Sequence, residues 1–358
     1  MPQELRYGLI GAGLMGQEHL RNVGALPGAS FVAVADPHGP SRDQARMLLG
    51  PEPQISADYR DVLARSDIDA IVIATPNHTH AGVLRDVMAS GKNILSEKPL
   101  CTTLQDGRAI VEAAEGYPAV FWVAMEYRYM PPVARLIELV HGGRVGALKM
   151  LAIREHRFPF LPKVGDWNRF NRNTGGTLVE KCCHFFDLMR LVVRSEPVRV
   201  FASGAQDVNH LDERYDGETP DILDNAFVVV DFENGVRAML DLCMFAEGSA
   251  NQEEIAVTGS RGKVEAFLPS SKVVVATRER GSAVEIDVPV PADVGFEGYH
   301  HGSSYIEHVR FRDTILAGGK AEVTVSDGLA AVEMGMAAQR SIETGRPVLI
   351  EEVSLRTV

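Results

Sequence analysis

Residues 6–16 read RYGLIGAGLMG, and the whole fold follows from how that stretch is read. An apolar, strand-like run ends at Ile10, and Gly11, Gly13 and Gly16 follow with the spacing GxGxxG. A helical pattern around 14–25 begins inside the motif, carrying Leu14 and Met15. Glycine-rich turns are common, so the spacing alone says little. Its place after a strand, at the start of a helix and at the head of a βαβ unit gives it meaning. Glycines there allow a tight turn and close backbone approach, and the helix N-terminus faces a pyrophosphate. The next strand-like run, FVAVAD, ends in Asp36, twenty residues beyond Gly16. An acidic group at that point accepts hydrogen bonds from adenine-ribose hydroxyls and repels a 2′-phosphate. The plainer alternative is a structural glycine turn with a solvated aspartate.

Outward from this turn, short apolar runs alternate with helical patterns. The strands are RYGLI, FVAVA, AIVIA, KNIL and AVFWVA, with helical stretches around 14–25, 41–49, 78–90 and 103–115. Strands apolar on both faces and separated by helices predict a parallel, doubly wound α/β sheet. After EYRYMPPVARLIELV the rhythm changes. Seven runs from LKMLAIREHRF to KVVVATR follow one another with turns between them, predicting a large, mostly antiparallel sheet. One helix over 177–194 interrupts it, and helices over 303–317 and 326–344 close the chain. The boundary falls near residue 124: a dinucleotide-binding Rossmann domain over 1–123, then an α+β domain over 124–358 for substrate binding and oligomerisation.

The composition narrows the function. A chain of 358 residues that is 45% hydrophobic exceeds the size at which single cores usually split. A formal charge of −12 argues against nucleic acid or an anionic membrane as partner. The longest apolar runs are strand-sized, and MPQELRYGLIGAG lacks the pattern of a signal peptide. Four cysteines, at 101, 182, 183 and 243, make no disulfide scaffold and no zinc-type CxxC pair. A reducing cytoplasm fits that usage.

Three further stretches carry candidate chemistry. AIVIA runs into TPNHTH, placing Thr75, Pro76 and Asn77 at a strand's carboxyl end. His78 and His80 tempt a metal reading, but no carboxylate or cysteine accompanies them at ligand spacing, so a helix start is expected and no metal. KNIL leads into SEKPL, with Glu97 and Lys98 at the next strand end. In GTLVEKCCHFFDLMR (176–190), Leu178, Val179, Cys182, Phe185, Phe186 and Met189 share one helix face, while Glu180, His184 and Asp187 share the other. An amphipathic helix with a wet face is the bland reading of that stretch.

GxGxxG at 11–16, Asp36, TPNHTH at 75–80 and EKP at 97–99 together resemble the Gfo/Idh/MocA oxidoreductases, which include inositol dehydrogenases, over essentially the whole chain. The resemblance implies that Lys98 reaches both the nicotinamide ribose and the substrate hydroxyl, and that the Lys98–Pro99 peptide is cis. The family's helix motif aligns with Gly175-Gly176…Glu180-x-x-x-His184, making His184 the proton acceptor with Glu180 beside it in a cleft between the domains. Glu180 stands where the family usually has Asp, and Cys182 where Gly is frequent. The expected cofactor is NAD, with NADP as the alternative because Arg42 and His38 lie near Asp36. Its site is expected to include Gly11, Gly13, Leu14, Met15, Gly16, Asp36, Arg42, Thr75, Pro76, Asn77, His80, Glu97 and Lys98. Substrate contacts are expected from Tyr127, Arg128, His156, Lys163, Trp167, Asn168, Glu180 and His184, a donor-rich set with one large aromatic that suits a polyhydroxylated ring.

The activity so implied is an NAD-dependent dehydrogenase oxidising a secondary hydroxyl of a sugar or cyclic polyol. The same residues suit an NADPH-dependent keto-sugar reductase, and a non-catalytic nucleotide-binding regulator is the reading from another class. An uncovered face of the second sheet would bury itself in a homo-oligomer, a dimer or tetramer.

Overall fold

A computed structural model describes residues 4–354. Its first half alternates strand and helix: β1 (Leu5–Ile10), α1 (Leu14–Gly24), β2 (Ala29–Ala35), α2 (Gly39–Leu49), β3 (Gln54–Ser56) and α3 (Arg60–Leu63). It continues through β4 (Ala70–Ile73), α4 (His80–Ala89), β5 (Asn93–Glu97), α5 (Leu104–Ala114) and β6 (Phe121–Ala124). Then come α6 (Pro131–His141), β7 (Leu148–His156), α7 (Asn171–Thr174), α8 (Thr177–Glu180) and α9 (Cys183–Val193). Strands dominate next: β8 (Pro197–Ala205), β9 (Asn225–Phe232), β10 (Arg237–Cys243), β11 (Glu253–Gly259), β12 (Gly262–Leu268), β13 (Lys272–Thr277) and β14 (Val284–Asp287). The chain closes with α10 (Ser303–Leu316), α11 (Val325–Thr344), β15 (Val348–Leu349) and α12 (Ile350–Ser354).

By its internal contacts the chain divides into two compact units. The first contains the residues up to Glu126 together with 162–168 and 292–329; the second contains 127–161, 169–291 and the residues from 330 onward. A single boundary near 124 does not anticipate the two later segments of the first unit. The physical reason for one of them is visible in α10. Its Phe311 packs edge-on to Trp122 of β6 and tilted against Tyr7 of β1, at centroid distances of 6.1 and 6.2 Å.

The first unit holds a six-stranded parallel sheet in the order β3-β2-β1-β4-β5-β6. All four residues of β4 and of β6 are buried, as parallel strands covered on both faces require. The strand order reverses between β1 and β4, so the turns after those two strands flank the switch point where such sheets bind ligands.

The second unit holds nine strands in the order β14-β13-β12-β11-β7-β10-β9-β8-β15. Every neighbouring pair is antiparallel except β7 with β10, which run parallel. Helix α6 packs on β12 and β13, and α9 packs on β7. On the other face, Phe201, Val229 and Met239 stand opposite one another across β8, β9 and β10. All three are exposed, as are Phe227 and Met150.

Candidate active site

In the first unit, the turn after β1 is shaped by backbone crowding. Gly11 has φ +92°, and a Cβ there would stand 2.4 Å from the carbonyl oxygen of Ala74, just past β4. Only glycine fits the pass between the two strand ends. Asp36 closes the same turn from β2: its carboxylate accepts from the backbone N–H of Ala12 at 2.7 Å and of His38 at 2.7 Å. A carboxylate offers about four lone-pair positions, so two remain for ribose hydroxyls. Arg42 does not project as a ready phosphate ligand. Its guanidinium donates to the carbonyl oxygens of Asp36 and Pro37, at 2.7 and 2.8 Å. Leu14 is exposed at the head of α1, and Gly13, Met15 and Thr75 are partly exposed on the same two turns. The glycine cradle and the carboxylate at the end of β2 fit a dinucleotide.

Two expected cofactor residues serve the protein itself. The His80 ring is fully buried and lies 2.8 Å from the Pro99 carbonyl oxygen and 3.0 Å from that of Thr75. It ties the β4 turn to the β5 turn and is not open to a ligand. Glu97 is turned inward: one oxygen meets His19 Nε2 at 3.0 Å and the other accepts from the Lys98 N–H at 3.2 Å. His19 Nδ1 in turn meets His308 Nε2 at 2.8 Å. Burial pushes the Glu97 carboxyl up, but the His19 hydrogen bond and charge, then Lys98, hold it below the usual carboxylate range. Burial, then the charge of His19, keeps His308 well below an ordinary histidine. This chain stiffens the loop that carries Lys98, which is partly exposed after the buried end of β5. The Lys98–Pro99 peptide is cis, as expected. Trp167 lies edge-on to His78, with centroids 6.2 Å apart. Asn168 is buried and Lys163 partly so, both in this unit.

In the second unit, the expected single helix over 177–194 is two helices, α8 and α9, broken at Lys181 and Cys182. Gly176 starts α8 with φ +93°, and a Cβ there would sit 1.9 Å from Oε1 of Gln339. The polar face is not wet: Glu180, His184 and Asp187 are all buried along with the apolar face. The reason lies in what they meet. Asp187 accepts from both Nε and a terminal nitrogen of Arg128, so Arg128 is held in a buried ion pair. Tyr127, also buried, lies flat on His184, with ring centroids 4.0 Å apart and planes 6° apart.

Behind that pair is a charged cluster that local sequence patterns do not reveal. Lys181 Nζ donates to the Tyr127 hydroxyl at 2.6 Å and pairs with Glu155 Oε1 at 2.9 Å. Arg157 also reaches Glu155, at 3.3 Å. Burial, then the charge of Arg157, lowers the Lys181 pKa although Glu155 opposes the shift. Burial, then the charge of Glu155, pushes Glu253 up to about 7. Strand parity explains this. On β7, Leu151, Ile153 and Glu155 face inward, and on β11, Glu253, Ile255 and Val257 do. The same parity removes His156, which points to the opposite face and pairs with Asp241 at 3.1 Å. A glutamate in phase with buried aliphatics was the available signal.

Comparisons with known proteins agree with this architecture. Residues 5–125 match the oxidoreductase family's NAD-binding Rossmann fold, and residues 137–350 match its C-terminal alpha/beta domain. The uncharacterized oxidoreductase YrbE of Bacillus subtilis is 30% identical over 98% of both chains. A myo-inositol 2-dehydrogenase of Thermotoga maritima is 27% identical over 98% of this chain and 99% of its own. The crystal structure of an oxidoreductase domain protein from Kribbella flavida covers 97% of this chain and 99% of its own, with TM-score 0.87 and 21% identity, a likeness of fold alone. With both halves matched and a full-length relative at this level, the chain belongs to the Gfo/Idh/MocA family of NAD-binding oxidoreductases.

Proposed function

We propose that this NAD-binding oxidoreductase oxidises a secondary hydroxyl of a cyclic polyol or sugar to a ketone. The observation that carries the reading is the buried His184, locked face-to-face against Tyr127 at 4.0 Å on a helix that the family resemblance makes the proton-accepting element. A ring held this firmly is already oriented before substrate arrives. The Thermotoga relative, named as a myo-inositol 2-dehydrogenase, supports the substrate class.

In this reading His184 takes the hydroxyl proton, Glu180 orients the imidazole or a neighbouring hydroxyl, and Lys98 hydrogen-bonds the oxygen as its charge develops. The chemistry that NAD would supply, when bound, is that of a hydride acceptor. Gly11, Gly13 and the head of α1 would receive its pyrophosphate, Asp36 its adenine ribose, and Thr75 to Asn77 with Lys98 the nicotinamide half. Lys163, Trp167 and Asn168 are proposed to meet the substrate.

The test is a panel of cyclic polyols and aldoses with NAD and with NADP, followed at the NADH absorbance band, in wild type and Lys98→Ala. Turnover of at least one polyol with NAD, abolished in Lys98→Ala at an unchanged thermal midpoint, supports the reading. Turnover of none, or full turnover in Lys98→Ala, overturns it.

The protein is further proposed to be cytoplasmic and to self-associate through the second sheet. Phe227 is 63% exposed, and the Phe201–Val229–Met239 row continues the apolar surface across three strands. A patch of this kind is buried in an assembly. Light scattering should give a dimer or tetramer, and Val229→Lys should shift it toward monomer; a wild-type monomer at micromolar concentration contradicts the proposal.

A further inference from the structure

The buried Lys181 is not used by the mechanism above, yet it touches Tyr127, whose ring lies flat on His184. Taking a lysine ammonium out of water is costly and is tolerated only where partners replace the solvent. Here the partners are unequal to that task. Glu155 is shared with Arg157, and burial raises Glu253 to about 7, so near neutral pH that second carboxyl is only partly charged. The third partner is a neutral hydroxyl, that of Tyr127, and it is the nearest of all at 2.6 Å. A purely structural lysine is poorly explained by such a set. A lysine whose position fixes a tyrosine ring is well explained.

The geometry points to Lys181 as a positioning residue for the His184 imidazole, acting through Tyr127. The ammonium pins the hydroxyl end of the tyrosine, and Phe185 meets the same ring edge-on, with centroids 5.7 Å apart. The ring is thereby held from its tip and its flank, and its face sets the plane of the imidazole. Lys181 also lies 4.9 Å from the Tyr127 ring centroid, so a positive charge stands close to the ring on which His184 rests. That charge opposes protonation of the imidazole. The aromatic face favours it. The groups that set the charge of Lys181 are Glu155 on β7, Arg157 just beyond it, Glu253 on β11 and Tyr127.

This inference rests on the reading of His184 as proton acceptor, and the test separates the two. Lys181→Met, Tyr127→Phe and the double variant are assayed for polyol oxidation across pH, with His184→Asn alongside. In Lys181→Met the kcat falls about 10²-fold with KM for the polyol unchanged. The acid limb of its profile moves up by about one pH unit, because a neighbouring positive charge is gone. Tyr127→Phe, which keeps the ring and the lysine, lowers kcat without moving the limb. The double variant is no worse than Lys181→Met, since both break one linkage. A second readout needs no turnover: the His184 imidazole titration, followed by NMR in the protein without NAD, shifts upward in Lys181→Met. Wild-type kcat and titration in folded Lys181→Met and Tyr127→Phe, with His184→Asn inactive, overturn this inference alone. An active His184→Asn overturns the underlying reading instead. Should Lys181→Met fail to fold, Tyr127→Phe decides: retained kcat overturns the inference, and a kcat loss at constant KM supports it.

Discussion

Tyr127 and His184 stack with ring centroids 4.0 Å apart and planes within 6°. The tyrosine comes from the turn that follows β6 and the histidine from α9, so residues 57 positions apart in the chain make one rigid pair. Burial of both rings leaves the imidazole little rotational freedom. In the proposed role of proton acceptor, a ring fixed in this way gains from orientation as well as from basicity.

His184→Asn, which keeps a polar planar group against the Tyr127 face, should lower kcat for oxidation by about 10²–10⁴-fold. The thermal midpoint should stay close to wild type. Steady-state kinetics beside calorimetry check this, and full turnover with a shifted midpoint would make the histidine a packing residue.

Asp36→Ser should erode the preference for NAD. The substitution removes the charge that repels a 2′-phosphate and loosens the hold on the Ala12 N–H. We expect kcat/KM for NADP to rise roughly tenfold relative to that for NAD, equivalent to ~1.4 kcal/mol. Wild-type enzyme that already uses NADP better would contradict the assignment.

Glu253 makes stability depend on pH in a definite direction. Its folded pKa is raised from 4.5 to about 7, chiefly by burial. Below about 4.5 both folded and unfolded forms hold the proton, and the group is neutral to stability. As pH rises through the window from 4.5 to 7 the unfolded chain releases the proton first, so stability falls, and the full cost is present above 7. Glu253→Gln removes this cost. The variant should exceed wild type in stability at pH 8 by up to roughly 3 kcal/mol, since each tenfold difference in proton affinity between folded and unfolded chain is worth about 1.4 kcal/mol. The gain should vanish near pH 4, and denaturant unfolding at the two pH values measures it.

Gly176→Ala should destabilise the second unit. The backbone there has φ +93°, which costs a residue with a Cβ about 1–2 kcal/mol, and the new methyl also meets Gln339. Adding Gln339→Ala should relieve the contact and leave the backbone cost. A double variant as stable as wild type would show that the contact was the whole effect.

Local sequence pattern was enough to lay out the chain. Period-2 and period-3.6 repeats locate strands and helices wherever the repeat is long, so both sheets, the glycine turn, Asp36 and the two closing helices were legible. Pattern did not reveal the short β3, the break between α8 and α9, or the return of 162–168 and 292–329 to the first unit. Those depend on contacts between residues remote in the chain. The candidate site divides the same way. Lys98, Glu180 and His184 could be proposed from sequence because they sit in local motifs. The directions taken by Glu97, His80, Arg128 and His156 were not, because each is set by a partner: His19, Pro99 with Thr75, Asp187, and Asp241. The Glu155–Lys181–Tyr127 chain joins β7, the α8–α9 break and the turn after β6. Local pattern records which residues a strand or helix carries. Which buried charge meets which hydroxyl is decided only when those elements pack, because in a low-dielectric interior each polar group must find a partner that folding alone brings within reach.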